Sequence, residues 1–262
     1  RKIGMDDQFR MRADLLQAAI DEDRRAGKHP FCVVSSVGTT AVTSVDPVEA
    51  GKDIAEREGL WHHIDGAYGG VAAMLPENQW MLKGAERADS LVVNPHKWLF
   101  TPIDLSAFFC RRPEALREAY SLVPAYLASA DDPRALNLMD YRIPLGSRFR
   151  ALKLWFVMRS FGHERVMSIV RSHLQWAGEL AAAIAADPHF EVVAPVLMSL
   201  VCFRYKGTDD QNRRLLELLN ASGVAFSSGN VLNGQFGLRI AIGNLKTTRE
   251  DVFLVWETVR KL

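Results

Sequence analysis

Two stretches decide how this chain is read: Leu60-Trp61-His62-His63-Ile64-Asp65-Gly66-Ala67-Tyr68-Gly69-Gly70 and Ser90-Leu91-Val92-Val93-Asn94-Pro95-His96-Lys97-Trp98. Each is a short β-rich run that stops in polar, glycine- or proline-bearing residues. A third run of the same kind lies upstream, Phe31–Val37, and ends in Gly38-Thr39-Thr40. Helical signals separate them. Leu15, Leu16, Ala19 and Ile20 recur at helical spacing and Gly27 closes that helix. Asp46 is read as the N-cap of a second helix, with Pro47 at its first position and Gly59 past its end. A third helical region ends near Ala88, and Leu105–Cys110 reads as a fourth strand. Strands alternating with helices imply a mostly parallel sheet and an α/β layered fold.

Further along the chain the rhythm changes. Residues 121–140 hold two prolines, three aspartates and little apolar periodicity, the signature of a long functional loop. Residues 147–186 give long helices, with Leu152, Trp155, Phe156 and Arg159 on one stripe and a second helix over Ser172–Ala186. Trp155, Phe156 and Met158 are assigned to the core. Strands at Phe190–Val193, Ser199–Tyr205 and Gly237–Ile242 then alternate with helices at Asp210–Asn220 and from Arg249, without the parallel rhythm. Two domains are expected: residues 1–150, part of a large parallel-sheet domain, and residues 151–262, a smaller α+β domain.

Composition narrows the function classes. The 262 residues are 48% hydrophobic and 24% charged, ordinary for a folded protein. With 32 Lys plus Arg against 31 Asp plus Glu, the net charge of +1 argues against a nucleic-acid partner. No apolar run approaches the roughly 18 residues that would span a bilayer, so no membrane partner is expected. Cys32, Cys110 and Cys202 are odd in number and sit in apolar runs, which points away from disulfides and toward a cytoplasmic location.

Chemically capable residues cluster just after strand ends. Thr39 and Thr40 follow the first strand, Asp65 the second, and Asn94, His96 and Lys97 the third, which is the sheet edge where ligands bind in open α/β folds. A lysine between an imidazole and a tryptophan, desolvated behind a buried strand, is a candidate Schiff-base amine. A carboxylate facing the same crevice can keep a pyridine nitrogen protonated, the pairing that pyridoxal phosphate chemistry needs. These residue types alone leave open a surface lysine and a turn-forming aspartate. His62, His63 and Asp65 are set aside as a metal site, because His62 and Asp65 are read as facing away from His63 and Ile64 and no third ligand cluster is seen. Gly66, Gly69 and Gly70 make no dinucleotide fingerprint, since no helix pattern is read as opening there.

The two stretches, together with Val37-Gly38-Thr39-Thr40, Ile143-Pro144-Leu145-Gly146-Ser147-Arg148-Phe149-Arg150, Val201-Cys202-Phe203-Arg204 and Leu238-Arg239-Ile240, resemble the group II pyridoxal-phosphate-dependent amino-acid decarboxylases, above all their aromatic-L-amino-acid branch. The resemblance runs along essentially the whole chain. It implies the fold-type-I architecture of the aspartate aminotransferases, pyridoxal 5'-phosphate as cofactor, an amino-acid substrate and a homodimer. It further implies that Lys97 carries the cofactor, Asp65 pairs with the pyridine nitrogen and Ala67 packs on the ring. Thr40 matches a cofactor-contacting threonine, and Asn94 and His96 match residues around the phosphate and the lysine. Tyr126, in Pro124-Ala125-Tyr126-Leu127, matches the catalytic-loop tyrosine that protonates Cα; phenylalanine there accompanies aldehyde synthesis. Gly146 matches a dimer-interface position reaching the neighbouring site, and Arg239 an arginine that meets a substrate carboxylate in related glutamate decarboxylases.

The expected reaction is therefore decarboxylation of an aromatic L-amino acid. The family's long N-terminal region, with its ring-stacking histidine and phosphate-binding residues, has no match in this sequence, so the chain is expected to be a fragment of an active enzyme. Alternatives are a glutamate or histidine decarboxylase, an aldehyde synthase, another fold-type-I enzyme, or a non-catalytic relative.

Overall fold

A computed structural model describes residues 1–121 and 137–262. Its first layer is a four-stranded sheet, β1 (Cys32–Ser36), β2 (Trp61–Asp65), β3 (Ser90–Val93) and β4 (Ala107–Cys110), in that spatial order. β1, β2 and β3 run parallel, and β4 closes the edge antiparallel. Helices α1 (Ala13–Arg25) and α2 (Val48–Arg57) connect and cover these strands, packing Leu16, Ile20 and Ile54 against Val33 and Leu60.

Local details depart from expectation where long-range contacts outweigh local signals. Asp46 does not cap α2. Pro47 is the N-cap residue, and the Asp46 carboxylate instead accepts 2.7 Å hydrogen bonds from the backbone N–H groups of Met11 and Ser36, stapling three segments together. Its burial raises the carboxyl pKa. The region before Ala88 forms only a one-turn helix, α3 (Gly69–Ala72), followed by 3-10 turns at Pro76–Leu82 and Ala85–Arg87. A helix thus does open at Gly69. Strand alternation also corrects the reading of β2: His62 and Ile64 are fully buried on one face, while Trp61, His63 and Asp65 share the other.

α4 (Pro95–Trp98) is a single turn after β3, and α5 (Pro113–Tyr120) follows β4. α6 (Ala151–Phe161) and α7 (His163–Ala186) are separated by Gly162 alone, whose φ of 74° breaks the helical path. α7 serves two cores. Val166, Met167 and Val170 pack with Val71, Leu75 and Trp98 under the first sheet. Ala177, Leu180 and Ile184 pack with Val201, Phe203, Leu238 and Trp256 under the second.

That second sheet is antiparallel, with spatial order β5 (Phe190–Val192), β6 (Leu200–Tyr205), β8 (Gln235–Ala241), β7 (Ser228–Leu232). α8 (Asp209–Ala221) and α9 (Arg249–Val259) complete the unit. Both start with reciprocal capping boxes, Thr208 with Gln211 and Thr248 with Asp251. Trp155 and Phe156, assigned to the core from sequence, are each 55% exposed on α6.

Candidate active site

The C-terminal ends of β1, β2 and β3 lie side by side, because Ser36 is in register with Asp65 and Asp65 with Val92. The loops that follow are tied to one another. Val37 N–H donates to the Asp65 carbonyl (2.8 Å), Gly69 N–H to the Val37 carbonyl (3.1 Å), and Asn94 N–H to the Ala67 carbonyl (3.1 Å). Gly38 has φ of +86°, and a Cβ there would stand 2.8 Å from the Gly69 nitrogen, so this close approach of two loops requires glycine.

Asp65 is exposed at its strand end, with Oδ1 accepting from the Ala67 N–H (3.0 Å). Among the described residues it has no cationic partner. Ala67 is buried. Lys97 is exposed on α4, and its amine makes no ion pair among the described residues. This chain's own side chains therefore do not supply the desolvation expected around Lys97. His96 is half-buried, with Nδ1 accepting from Leu105 N–H (3.0 Å). Asn94 keeps its Oδ1 buried without a hydrogen-bond partner.

Thr40, Lys97 and Arg239 do meet. They line a cavity of about 180 Å³ between the two sheets, together with Gly38, Tyr68 and Leu200. Arg239 reaches across from β8: Nε donates to the Ala41 carbonyl (3.0 Å), one terminal nitrogen to the Thr40 carbonyl and the other to Ser228 Oγ (3.0 Å). No carboxylate offsets its charge among the described residues. Gly146 is exposed and away from this cavity's lining, and a Cβ there would meet nothing. Tyr126 lies outside the described residues.

Two residues that sequence reasoning did not single out support the site: Tyr68 in the cavity wall and Ser199 behind it. Tyr68 stacks on Trp98 with ring centroids 4.8 Å apart and planes 6° apart, and its hydroxyl is 2.6 Å from Ser199 Oγ. Burial pushes the Tyr68 hydroxyl up to about 12, so it stays protonated. Tyr68 stands inside the quoted motif, so its position there was an available signal. Ser199 had none, being brought in from 131 residues away by the fold.

The residues fit one side of a pyridoxal phosphate site. Among the described residues, a carboxylate and an amine without ion-pair partners stand at or just past neighbouring parallel strand ends, and the Asn94 oxygen adds a buried acceptor without a partner. The donor set lacks a second ring-covering face, so the fit is to half a cage.

Comparison with known proteins agrees with this geometry. Residues 1–206 match the family model described as the pyridoxal-dependent decarboxylase conserved domain. The aromatic-L-amino-acid decarboxylase of Sus scrofa is 42% identical over all of this chain and 54% of its own length. The phenylacetaldehyde synthase of Arabidopsis thaliana is 38% identical over 97% of this chain and 54% of its own. The crystal structure of Oryza sativa TDC with PLP and tryptamine superposes with a TM-score of 0.95 at 35% identity, over all of this chain and 56% of that one. The chain thus spans about half the length of the relatives it matches.

Proposed function

The chain belongs to the pyridoxal-dependent decarboxylase family, and on that premise we propose that it forms the lysine-bearing half of an active site that decarboxylates an aromatic L-amino acid. The observation that carries this is the placement of Asp65 at the end of β2 and of Lys97 just after the adjacent β3, with Arg239 and Thr40 beside Lys97 in one cavity.

When bound, pyridoxal phosphate supplies the electron sink that accepts the charge left by departing carbon dioxide. Lys97 offers the amine that anchors the cofactor and later releases product. Asp65 holds a proton at the pyridine nitrogen, with its carboxylate oriented by the Ala67 N–H, and Ala67 packs against the ring. Asn94 and His96 bind beside the lysine, His96 fixed at Nδ1 by Leu105. Thr40 contacts the cofactor and Arg239 orients the substrate carboxylate within the cavity they share. Tyr126 returns a proton to Cα.

The exposed Ile143, Leu145, Phe149, Trp155 and Phe156 support a homodimer in which Gly146 approaches the neighbouring site. The chain divides into the proposed domains 1–150 and 151–262, with α7 common to both cores. No helix among the described residues is long and apolar enough to cross a membrane, and the unpaired cysteines support a cytoplasmic location.

A second reading, aldehyde synthesis, is favoured by the 38% identity to a phenylacetaldehyde synthase. Product analysis separates the two. Supplied with pyridoxal phosphate and L-tryptophan, L-tyrosine, L-phenylalanine or dihydroxyphenylalanine in air, the decarboxylase releases carbon dioxide and the amine, and Tyr126→Phe diverts product to aldehyde, with dioxygen as oxidant and ammonia and hydrogen peroxide released. Aldehyde from the parent protein favours the second reading, and the amine favours the first.

A further inference from the structure

α4, which carries Lys97, is too short to hold itself in place. It is four residues long, lacks a side-chain cap, and a single turn is unstable unless packing fixes it. Its buried residues are Pro95 and Trp98, and Trp98 is 0% exposed. What holds Trp98 therefore sets where the neighbouring Lys97 stands.

Trp98 is held on one ring face and at its N–H edge. Tyr68, which lines the cavity, lies against one side at 4.8 Å and 6°. At the indole's N–H edge is His173 of α7, nearly coplanar with it, with ring centroids 6.4 Å apart and planes 5° apart. The indole Nε1–H donates to His173 Nδ1 at 3.0 Å. An indole nitrogen can only donate, so His173 must accept at Nδ1 and carry its proton at Nε2. His173 is 0% exposed, wedged by Phe100 edge-on at 6.0 Å and by Trp176 at 5.7 Å. Its burial lowers its pKa to about 4, which keeps the ring neutral and able to accept.

We infer that His173 is a positioning residue for Lys97, acting through the hydrogen bond it accepts from Trp98 rather than by touching substrate or cofactor. The inference rests on Lys97 being the reacting lysine. Nothing else on α7 offers Trp98 an acceptor in the described contacts, and loss of that acceptor leaves a buried donor unpaired.

The test is the rate at which pyridoxal phosphate labels Lys97, trapped with borohydride and read by peptide mass spectrometry. The proteins compared are the parent, His173→Phe, Trp98→Phe, the double variant and His173→Asn. Phenylalanine keeps a ring at the indole's N–H edge but cannot accept, and labelling should slow about tenfold. Asparagine replaces Nδ1 with an acceptor oxygen, and labelling should stay within about threefold of the parent. The double variant should recover most of the loss, because neither group is then left unpaired. In parallel, the Trp98 indole N–H proton resonance should exchange slowly in the parent and in His173→Asn, and rapidly in His173→Phe.

Equal labelling rates in the parent and His173→Phe overturn the positioning role while leaving the functional reading intact. A loss in His173→Asn as large as in His173→Phe also overturns it, since that is what bulk alone would cause. If His173→Phe does not fold, the asparagine variant decides. No label on Lys97 in the parent overturns the functional reading itself, and with it this inference.

Discussion

Consecutive helices α6 and α7 use their apolar residues in opposite ways. α7 buries Val166, Met167, Val170, His173, Ala177, Leu180 and Ile184 at spacings of three and four, a continuous stripe satisfied by this chain's own two cores. α6 buries Val157 alone and leaves Leu152, Trp155 and Phe156 more than 40% exposed. Both helices look amphipathic in sequence, and the difference lies in what the rest of the chain places opposite them. An apolar stripe tells that a face is to be covered, but not by which molecule.

Leu180→Ala is the sharpest way to break that contrast. Leu180 is 0% exposed in the second core, and its truncation should cost about 2–5 kcal/mol in denaturant unfolding. A cost below about 1 kcal/mol would deny α7 its part in the core.

The polar member of the α7 stripe gives a pH test. His173, and likewise His62 beneath the first sheet, titrate near 4 because burial disfavours their charged forms. Their folded pKa lies below the unfolded value of 6.5, so the unfolded chain binds the extra proton. Stability is then full above about pH 6.5 and falls as pH drops toward 4, by on the order of 3 kcal/mol per histidine. His62→Gln and His173→Asn should each flatten the decline; an unchanged slope in both would show that these histidines are not buried neutral groups.

The smallest effect is expected on α6. Trp155→Ser and Phe156→Ser should change the unfolding free energy by no more than about 0.5 kcal/mol. If the proposed homodimer uses this face, sedimentation should show weaker self-association for both. A stability loss of several kcal/mol would place these side chains in the chain's own core after all.

The same contrast explains what the sequence made legible. β1, β2 and β3 are readable because short runs rich in β-branched or aromatic residues end in turn residues, and the placement of Asp65, Asn94 and Lys97 at those ends is readable with them. β7 was missed: Ser228-Gly229-Asn230-Val231-Leu232 has weak strand propensity and exists because β8 pairs with it along its whole length. Asp46 looked like a helix cap because the local pattern fitted, but Met11, 35 residues away, competes for its carboxylate. Trp98 and His173 are 75 residues apart, and Tyr68 and Ser199 further still, so no local pattern announces either contact. Loop chemistry at strand ends is written locally; the support beneath it is written in tertiary packing.

The most direct test of the account is a pyridoxal phosphate titration of the chain and its Lys97→Ala variant, followed by visible absorbance. The account predicts a saturable band, shifted from that of free cofactor, in the parent and its absence in the variant. The same band in both proteins would contradict it, because the amine that anchors the cofactor would then lie elsewhere.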